Sequence, residues 1–165
     1  MDPQRAALKP SAQRVQDALD ARGTGLVVRE LPSSTRSAAE AAQAVGCSVG
    51  QIVKSLIFRG QATSQAVLVI ASGANRVDLG KVTRFACEPL EKADAGFVRD
   101  KTGFAIGGVP PAFHKAPMLT LIDEQLLAFE EVWAAAGTPN AVFRLSPAEL
   151  LSLTGGVTLD LAQGA

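Results

Sequence analysis

Hydrophobic and polar positions recur along this chain with two different periods, and each period predicts a different kind of element. Apolar residues recur at helical spacing between Ser11, which can cap a helix, and Gly23, which can end one, so this segment is predicted to be a helix. The runs 52–59 and 66–71 are instead short and mostly apolar, and the polar segment 60–64 separates them. This arrangement predicts two strands joined as a hairpin.

The same criteria predict the remaining elements. A second helix, with Thr35 or Ser37 as its N-cap, starts in the form of a capping box and ends at Gly46. A glycine- and proline-rich stretch at 103–117 is the strongest break in the sequence. The other predicted helices span 77–85, 89–99 and the segment from Ser146 to Gly155, and the other predicted strands span 25–29, 119–122, 130–133 and 141–145.

The order of these elements predicts the fold class. Strands joined by short loops and interrupted by helices are typical of a mixed α/β (α+β-like) domain with much antiparallel pairing. A regular alternation of strand, helix and strand is absent, so a doubly wound nucleotide-binding fold is not expected. With 165 residues, of which 47% are hydrophobic, the chain is long enough for one domain with its own core. We therefore expect residues 1–165 to form a single α/β domain.

Charge and composition exclude several classes of protein. The chain has 16 basic and 16 acidic residues, so a broad basic face is not expected, and any contact with nucleic acid should be small and local. No apolar run approaches the ~20 residues of a membrane helix, and the polar N-terminus does not resemble a secretory signal. Cys47 and Cys87 lack CxxC spacing, and one histidine adds too little for a zinc site. We expect a soluble, cytoplasmic protein that needs no metal or other cofactor and binds neither DNA nor membranes.

Lys54 is the first candidate for chemistry. It lies in the middle of the otherwise apolar run 52–58, where desolvation of an ammonium group costs several kcal/mol. One interpretation is that Lys54 points outward from a half-exposed strand. The other is a fixed positive charge in a cleft that binds a phosphate or a carboxylate. The strand pattern alone leaves both interpretations open.

The second candidate is the loop that runs from Gly107 to His114. Paired glycines let backbone N–H groups approach a ligand closely, and the prolines after them stiffen the loop. Such a loop can form an oxyanion hole without any side chain, although an ordinary tight turn has the same composition. A Ser-His-Asp hydrolase would have to use His114, the only histidine, and the chain has no P-loop or HExxH motif.

An ordered set of short motifs resembles one known family. The set covers about residues 25–160 and resembles the YbaK/ProX (EbsC-like) family, the free-standing relatives of the editing (INS) domain of bacterial prolyl-tRNA synthetase. The matching motifs are TRSAAEAA at 35–42, VGC at 45–47, QIVKSLIFR at 51–59, NRVD at 75–78, GF at 103–104, GGVPP at 107–111, LIDE at 121–124, LSPAELL at 145–151 and LTG at 153–155.

The resemblance implies a function and roles for individual residues. It implies hydrolysis of wrongly charged aminoacyl-tRNA, typically tRNA(Pro), by a domain built around a strongly bent, largely antiparallel sheet. Lys54 matches the lysine that holds a phosphate near the terminal adenosine, and Ser55 and Asn75 are expected to bind substrate beside it. The family uses no protein nucleophile, because a ribose hydroxyl of the substrate helps to activate the water. The matching catalytic loop, whose amides orient the ester carbonyl and the water, is Gly107, Gly108, Val109, Pro110 and Pro111, with His114 as a pocket or water-orienting residue.

Two departures from the family pattern bear on the substrate. Alanines stand in the segment 132–137 where the cysteine-editing branch has a serine, and the loop ends in a PPxxH pattern. We therefore expect a small neutral amino acid such as alanine, serine or 2-aminobutyrate rather than cysteine, on tRNA(Pro), with prolyl-tRNA synthetase as a further partner. Two other functions stay open: a non-catalytic module that binds tRNA ends or a synthetase with the same pocket, and a serine-dependent hydrolase of small esters.

Overall fold

A computed structural model describes residues 7–32 and 37–164 of the chain. Among the described residues, no helix is long and apolar enough to cross a membrane. Two short 3-10 helices, Val49–Gln51 and Glu124–Ala128, supplement the α-helices. The α-helices of this part of the chain are α1 (Pro10–Ala21), α2 (Ala38–Val45), α3 (Leu79–Ala86), α4 (Ala95–Thr102) and α5 (Pro147–Thr154).

The predicted N-cap is confirmed for α2 and is wrong for α1. Ser37 caps α2 as expected, because its side chain accepts a hydrogen bond from a backbone N–H in the first turn. Thr35, the other predicted cap, lies outside the described residues. The prediction that Ser11 caps α1 is wrong. Pro10 takes the first helical position, which suits its fixed φ angle, and Lys9 precedes it as the N-cap.

The strands of the described residues form two sheets. They are β1 (Val28–Glu30), β2 (Val53–Gly60), β3 (Ala66–Ser72), β4 (Leu90–Lys92), β5 (Leu119–Asp123), β6 (Val132–Ala135), β7 (Ala141–Leu145) and β8 (Val157–Leu159). The order is β4-β2-β3-β5-β8 in one sheet and β1-β7-β6 in the other, and a single bridge between Ile52 and Trp133 links them. The pairs β3–β5 and β5–β8 are parallel, whereas the other four are antiparallel. The predicted mixed α/β fold with largely antiparallel pairing is therefore confirmed, although the strands divide between two sheets.

The hairpin of β2 and β3 forms the centre of the larger sheet, as the sequence predicts. The two strands pair antiparallel, with Lys54 opposite Ala71. Every residue of β3 is buried, because the two faces of the strand contribute to two different apolar clusters. Leu68 and Ile70 belong to the larger cluster, and Val67 and Val69 belong to the smaller one. The sheet therefore carries core on both sides along this strand.

The predicted helix at 89–99 is wrong, because this segment contains a strand and the start of a helix. Leu90 pairs with Gly60 at the edge of β2, and its side chain is buried in the smaller cluster. Asp94 then caps α4, with its side chain accepting a hydrogen bond from the Phe97 N–H. A pairing partner about thirty residues away decides the structure here, and helix propensity within the segment does not reveal it.

The buried phenylalanine of β7 provides a test of this core. Phe143 is 0% exposed, whereas Phe85 on α3 is 43% exposed. Phe143→Ala removes a fully buried ring and leaves a cavity, so the free energy of unfolding should fall by about 3–5 kcal/mol. Urea denaturation of the full chain measures this change. Phe85→Ala is the matched control and should change the free energy of unfolding by less than about 1 kcal/mol. Equal effects of the two substitutions would contradict the described packing.

Candidate active site

A cavity of about 340 Å³ brings together the two candidates that the sequence singled out. Lys54 lines it from β2, and Gly107 and Val109 line it from the glycine- and proline-rich loop. More than fifty residues separate these features along the chain. Most of the remaining lining is apolar and includes the side chains of Ala38, Ala41, Trp133, Ala135, Pro139 and Val142. A concave, mostly apolar site with a few polar groups has the character of a small-molecule pocket.

The Lys54 ammonium group is half-buried and binds a backbone oxygen. Its Nζ donates a hydrogen bond of 2.6 Å to the carbonyl oxygen of Asn75. Among the described residues, no carboxylate forms an ion pair with it. Burial lowers the pKa of Lys54, the positive charge of Arg76 lowers it further, and Asp123 opposes the shift. The site therefore holds a cation whose hydrogen-bonding capacity is only partly used.

Asn75 supports Lys54 from outside the cavity lining. Its side-chain Nδ2 donates to the carboxylate of Asp123 at 2.8 Å and to Oε1 of Gln125 at 3.0 Å. Asp123 is fully buried and also accepts the Ser72 N–H at 3.1 Å. These bonds tie the turn after β3 to the end of β5, and so they place the Asn75 carbonyl under the ammonium group. The substrate-binding role of Asn75 stays a prediction, whereas its contact with Lys54 is a feature of the fold.

Close packing fixes the path of residues 107–111, which we call the glycine loop. Gly107 has a φ of +91°, a conformation that L side chains rarely adopt. A Cβ on Gly108 would lie 2.8 Å from backbone atoms of Gly137 and Thr138, so only glycine fits there. The Gly108 carbonyl also accepts a hydrogen bond of 2.8 Å from the Gly137 N–H. The loop is thus held against the turn between β6 and β7.

Two backbone N–H groups of this loop have no hydrogen-bond acceptor among the described residues. They belong to Gly107 and Val109, whereas the Gly108 N–H donates to Ala105 within a turn. Pro110 and Pro111 follow and have no N–H group. Val109 is buried, and a buried donor without a partner is unfavourable, so its N–H is suited to a ligand oxygen. Gly107 is exposed, so its N–H is open to a ligand or to solvent.

His114 stabilises the loop rather than lining the cavity. Its Nε2 lies 2.7 Å from the carbonyl oxygen of Pro110. A carbonyl can only accept, so the ring must carry a proton on Nε2 and donate it. Burial lowers the pKa of His114 below its usual value, and the hydrogen bond to Pro110 opposes part of that shift. The predicted pocket or water-orienting role of His114 stays a prediction.

A second cavity, of about 410 Å³, is also lined by Trp133 and contains none of the predicted site residues. Arg29 and Arg144 line it together with three glutamates, and both guanidinium groups lie within 6 Å of the Trp133 ring. Arg144 forms an ion pair of 3.3 Å with Glu131. Because its charges are mixed and partly paired, the smaller cavity with Lys54 is the better candidate for an active site.

The sequence did not predict that Asp123 and Arg76 belong to the site. Asp123 lies within the LIDE motif and Arg76 within the NRVD motif, but neither motif showed that these residues come close to Lys54. One feature of the sequence could have indicated the role of Asp123, namely the position of its carboxylate directly after an apolar strand. Such a group becomes buried only if it finds hydrogen-bond donors.

The pKa of His114 predicts a pH dependence of stability. In the unfolded chain the ring has an ordinary pKa near 6.5, and burial lowers it in the folded state. The unfolded state therefore binds more protons as the pH falls below about 6.5, and the folded state loses stability over that range. His114→Gln keeps a donor for Pro110 but does not titrate. Its free energy of unfolding should therefore fall less between pH 7.5 and pH 5.5 than that of the unmodified chain. Parallel pH profiles of the two proteins would contradict this burial of the ring.

Comparison with known proteins gives the family. The sequence profile of the aminoacyl-tRNA editing domain matches residues 32–153 of this chain. A crystal structure described as that of a candidate trans-editing enzyme for prolyl-tRNA synthetase is 58% identical, with a TM-score of 0.91. The match covers 96% of this chain and 100% of that one. The shared fold agrees with the mixed α/β architecture described above.

Two bacterial proteins are also similar in sequence. The uncharacterized protein YwhH of Bacillus subtilis is 32% identical over 123 residues, which are 74% of this chain and 78% of YwhH. EbsC of Enterococcus faecalis, described as a candidate Cys-tRNA(Pro)/Cys-tRNA(Cys) deacylase, is 29% identical over 121 residues, 73% of each chain. The resemblance to the YbaK/ProX (EbsC-like) proteins is thereby confirmed. The chain belongs to the aminoacyl-tRNA editing domain family and is an aminoacyl-tRNA deacylase.

Proposed function

We propose that this deacylase removes a small neutral amino acid, such as alanine, serine or 2-aminobutyrate, from mischarged tRNA(Pro). In this proposal Lys54 binds a phosphate of the CCA end, and the backbone of the loop 107–111 orients the ester carbonyl. The observation that carries the proposal is the cavity itself. It joins a half-buried ammonium group, which no described carboxylate pairs, to two N–H groups without described acceptors.

The chemistry needs little more than positioning. Water adds to the ester carbonyl carbon, the bond between that carbon and the ribose oxygen breaks, and the free amino acid leaves the 3′ end of the tRNA. An ester is already activated, so fixed geometry and N–H donors for the developing oxyanion account for much of the acceleration. The resemblance to the family adds a ribose hydroxyl of the substrate, which helps to activate the water. The serine-dependent alternative gains no support, because His114 is not among the described residues that line the cavity.

The size of the cavity supports a small amino acid. In this proposal the small side chains of Ala38, Ala41 and Ala135, which line the cavity, leave room for a short substrate side chain, and the bulkier Trp133 and Pro139 limit its length. A hydrophobic pocket distinguishes substrates that differ by one methylene group by only ~1–3 kcal/mol. The proposal therefore predicts graded rates among small side chains. Cysteine is close to serine in size, and the candidate activity of EbsC makes it the comparison that matters most.

The choice of tRNA(Pro) is supported by similarity, and the charge of the chain bears on how the tRNA is contacted. The 58% identical protein is described as a candidate trans-editing enzyme for prolyl-tRNA synthetase, so that synthetase is the partner we expect. The chain has a formal net charge of zero, which favours a local contact with the tRNA end over an extended one.

Replacement of Lys54 tests the phosphate contact. Lys54→Ala removes a charge-assisted contact with the substrate, so kcat/KM for alanyl-tRNA(Pro) should fall about 10- to 100-fold. Lys92 is an exposed lysine on β4, and Lys92→Ala is the matched control that should leave the rate unchanged. Single-turnover deacylation with alanine, serine, cysteine, 2-aminobutyrate and proline on tRNA(Pro) names the substrate in the same experiment. Protection of every ester by bound protein would instead favour the non-catalytic binding module.

The glycine loop is tested by the addition of one methyl group. Gly108→Ala places a Cβ 2.8 Å from the backbone of the opposing turn, so the loop must shift. A shift of about 1 Å in a catalytic group can reduce the rate about 100-fold, and we expect a loss of that order in kcat. Gly96→Ala on α4 is the control, because its Cβ would make only an ordinary contact at 3.5 Å. Full activity of Gly108→Ala at unchanged stability would contradict a catalytic role for this loop.

A further inference from the structure

The segment 103–114, which contains the glycine loop, has no helix or strand of its own. Its two ends are tied together at α4. The Lys115 N–H donates to the carbonyl oxygen of Thr102 at 3.1 Å, and the Ala116 N–H donates to that of Lys101 at 3.0 Å. A closed loop of this kind has no hydrogen-bond ladder that fixes its path. The path between its two ends therefore depends on contacts with other elements.

Arg14 of α1 contacts the beginning of this segment. Its Nη1 donates a hydrogen bond of 3.1 Å to the carbonyl oxygen of Gly103. The guanidinium carbon lies 4.5 Å from the centre of the Phe104 ring, and that ring is buried in the larger cluster together with Ala12 and Val15 of α1. A planar guanidinium group can stack on a ring and donate in its own plane at the same time. Arg14 thus fixes the point at which the chain leaves α4.

Arg22, directly after α1, contacts the other end of the segment. Its guanidinium carbon lies 5.2 Å from the centre of the Phe113 ring, and its Nη1 donates to the carbonyl oxygen of Leu153 at 3.3 Å. Phe113 has a φ of +70°. This conformation is unfavourable for a bulky residue and persists only where its neighbours hold it. The next residue is His114, which bonds back to Pro110 of the glycine loop.

A third contact connects α1 to the glycine loop through the turn between β6 and β7. The backbone oxygen of Ser11 occupies the space that a Cβ of Gly137 would need. The Gly137 N–H in turn donates to the Gly108 carbonyl at 2.8 Å. The helix therefore supports the segment at its beginning, at its end and behind the paired glycines.

We infer that α1 positions the catalytic loop, with Arg14 and Arg22 as positioning residues that govern kcat without contact with the substrate. Neither arginine is among the described residues that line the cavity. The N–H groups of Gly107 and Val109 belong to the backbone, so their direction changes only when the loop moves. The profile of the editing domain begins at residue 32, after α1 has ended. The inference rests on the catalytic role of this loop in the proposed function.

The test compares the double variant Arg14→Met/Arg22→Met with Arg84→Met, which changes an exposed arginine on α3. Methionine keeps a long apolar side chain but has neither the charge nor the N–H donors. With alanyl-tRNA(Pro), kcat of the double variant should fall about tenfold while KM changes by less than about twofold, because small displacements of catalytic groups slow the chemical step. Amide hydrogen exchange within 103–114, followed by mass spectrometry, should become faster. Arg84→Met should change neither quantity.

The alternative role for two exposed arginines is a contact with tRNA phosphates. A rise in KM at unchanged kcat would indicate that role and would overturn the inference. Unchanged hydrogen exchange of the loop would also overturn it. The single variants Arg14→Lys and Arg22→Lys apply if the double variant does not fold. Lysine keeps the charge but lacks the planar fork, so each should still lower kcat, and full activity of both would contradict a positioning role.

Failure of the proposed function gives a different result. If the unmodified enzyme spares every ester of tRNA(Pro) but cleaves another aminoacyl-tRNA, the proposed substrate is wrong. The same variants are then compared on that ester, and a selective loss of kcat with faster exchange of the loop still supports the positioning role of α1.

Discussion

The buried carboxylate of Asp123 is the constraint on which the geometry of the site depends. A carboxylate at the end of β5 with no exposure is unfavourable unless donors surround it, and the chain provides the N–H of Ser72 and the side chain of Asn75. These bonds fix the turn after β3. The Asn75 carbonyl then holds the Lys54 ammonium at 2.6 Å, beside the cavity rather than in open solvent. Removal of the carboxylate would therefore affect the position of a cation that Asp123 does not itself pair with.

The opposite wall of the cavity depends on backbone packing rather than on charge. Gly108 and Gly137 meet so closely that neither position has room for a Cβ, and the space at Gly137 is closed by the backbone of Ser11 on α1. The glycine loop is thus connected to the first helix through a turn that has no side chains at the contact. A site that works through backbone N–H groups needs this rigidity, because a backbone donor can be repositioned only by moving the loop.

Local signals in the sequence predicted the elements that depend on local chemistry. The capping box at Ser146 and the hairpin of β2 and β3 are formed as expected, because neighbouring residues determine them. The segment 89–99 was misassigned, because its strand depends on β2 and its helix begins only at a later cap. The parallel strand β8 was missed, since a three-residue edge strand leaves almost no periodic signal. The sequence identified Lys54 and the glycine loop as unusual, but the cavity that joins them depends on contacts between distant elements.

In the proposed function, a chain with no net charge acts on tRNA, which is a polyanion. This lack of charge affects the step at which the enzyme distinguishes one amino acid from another. Few neutralised phosphates release few counterions, so tRNA binding is weak and its dependence on salt is shallow. Weak binding of the ground state does not limit hydrolysis, because only interactions that are stronger in the transition state accelerate the chemical step. The N–H groups of Gly107 and Val109 can act in this way, because the charge that they stabilise develops on the ester oxygen only during attack by water. Selection between amino acids then occurs in the chemical step, in a cavity that holds only the end of the tRNA.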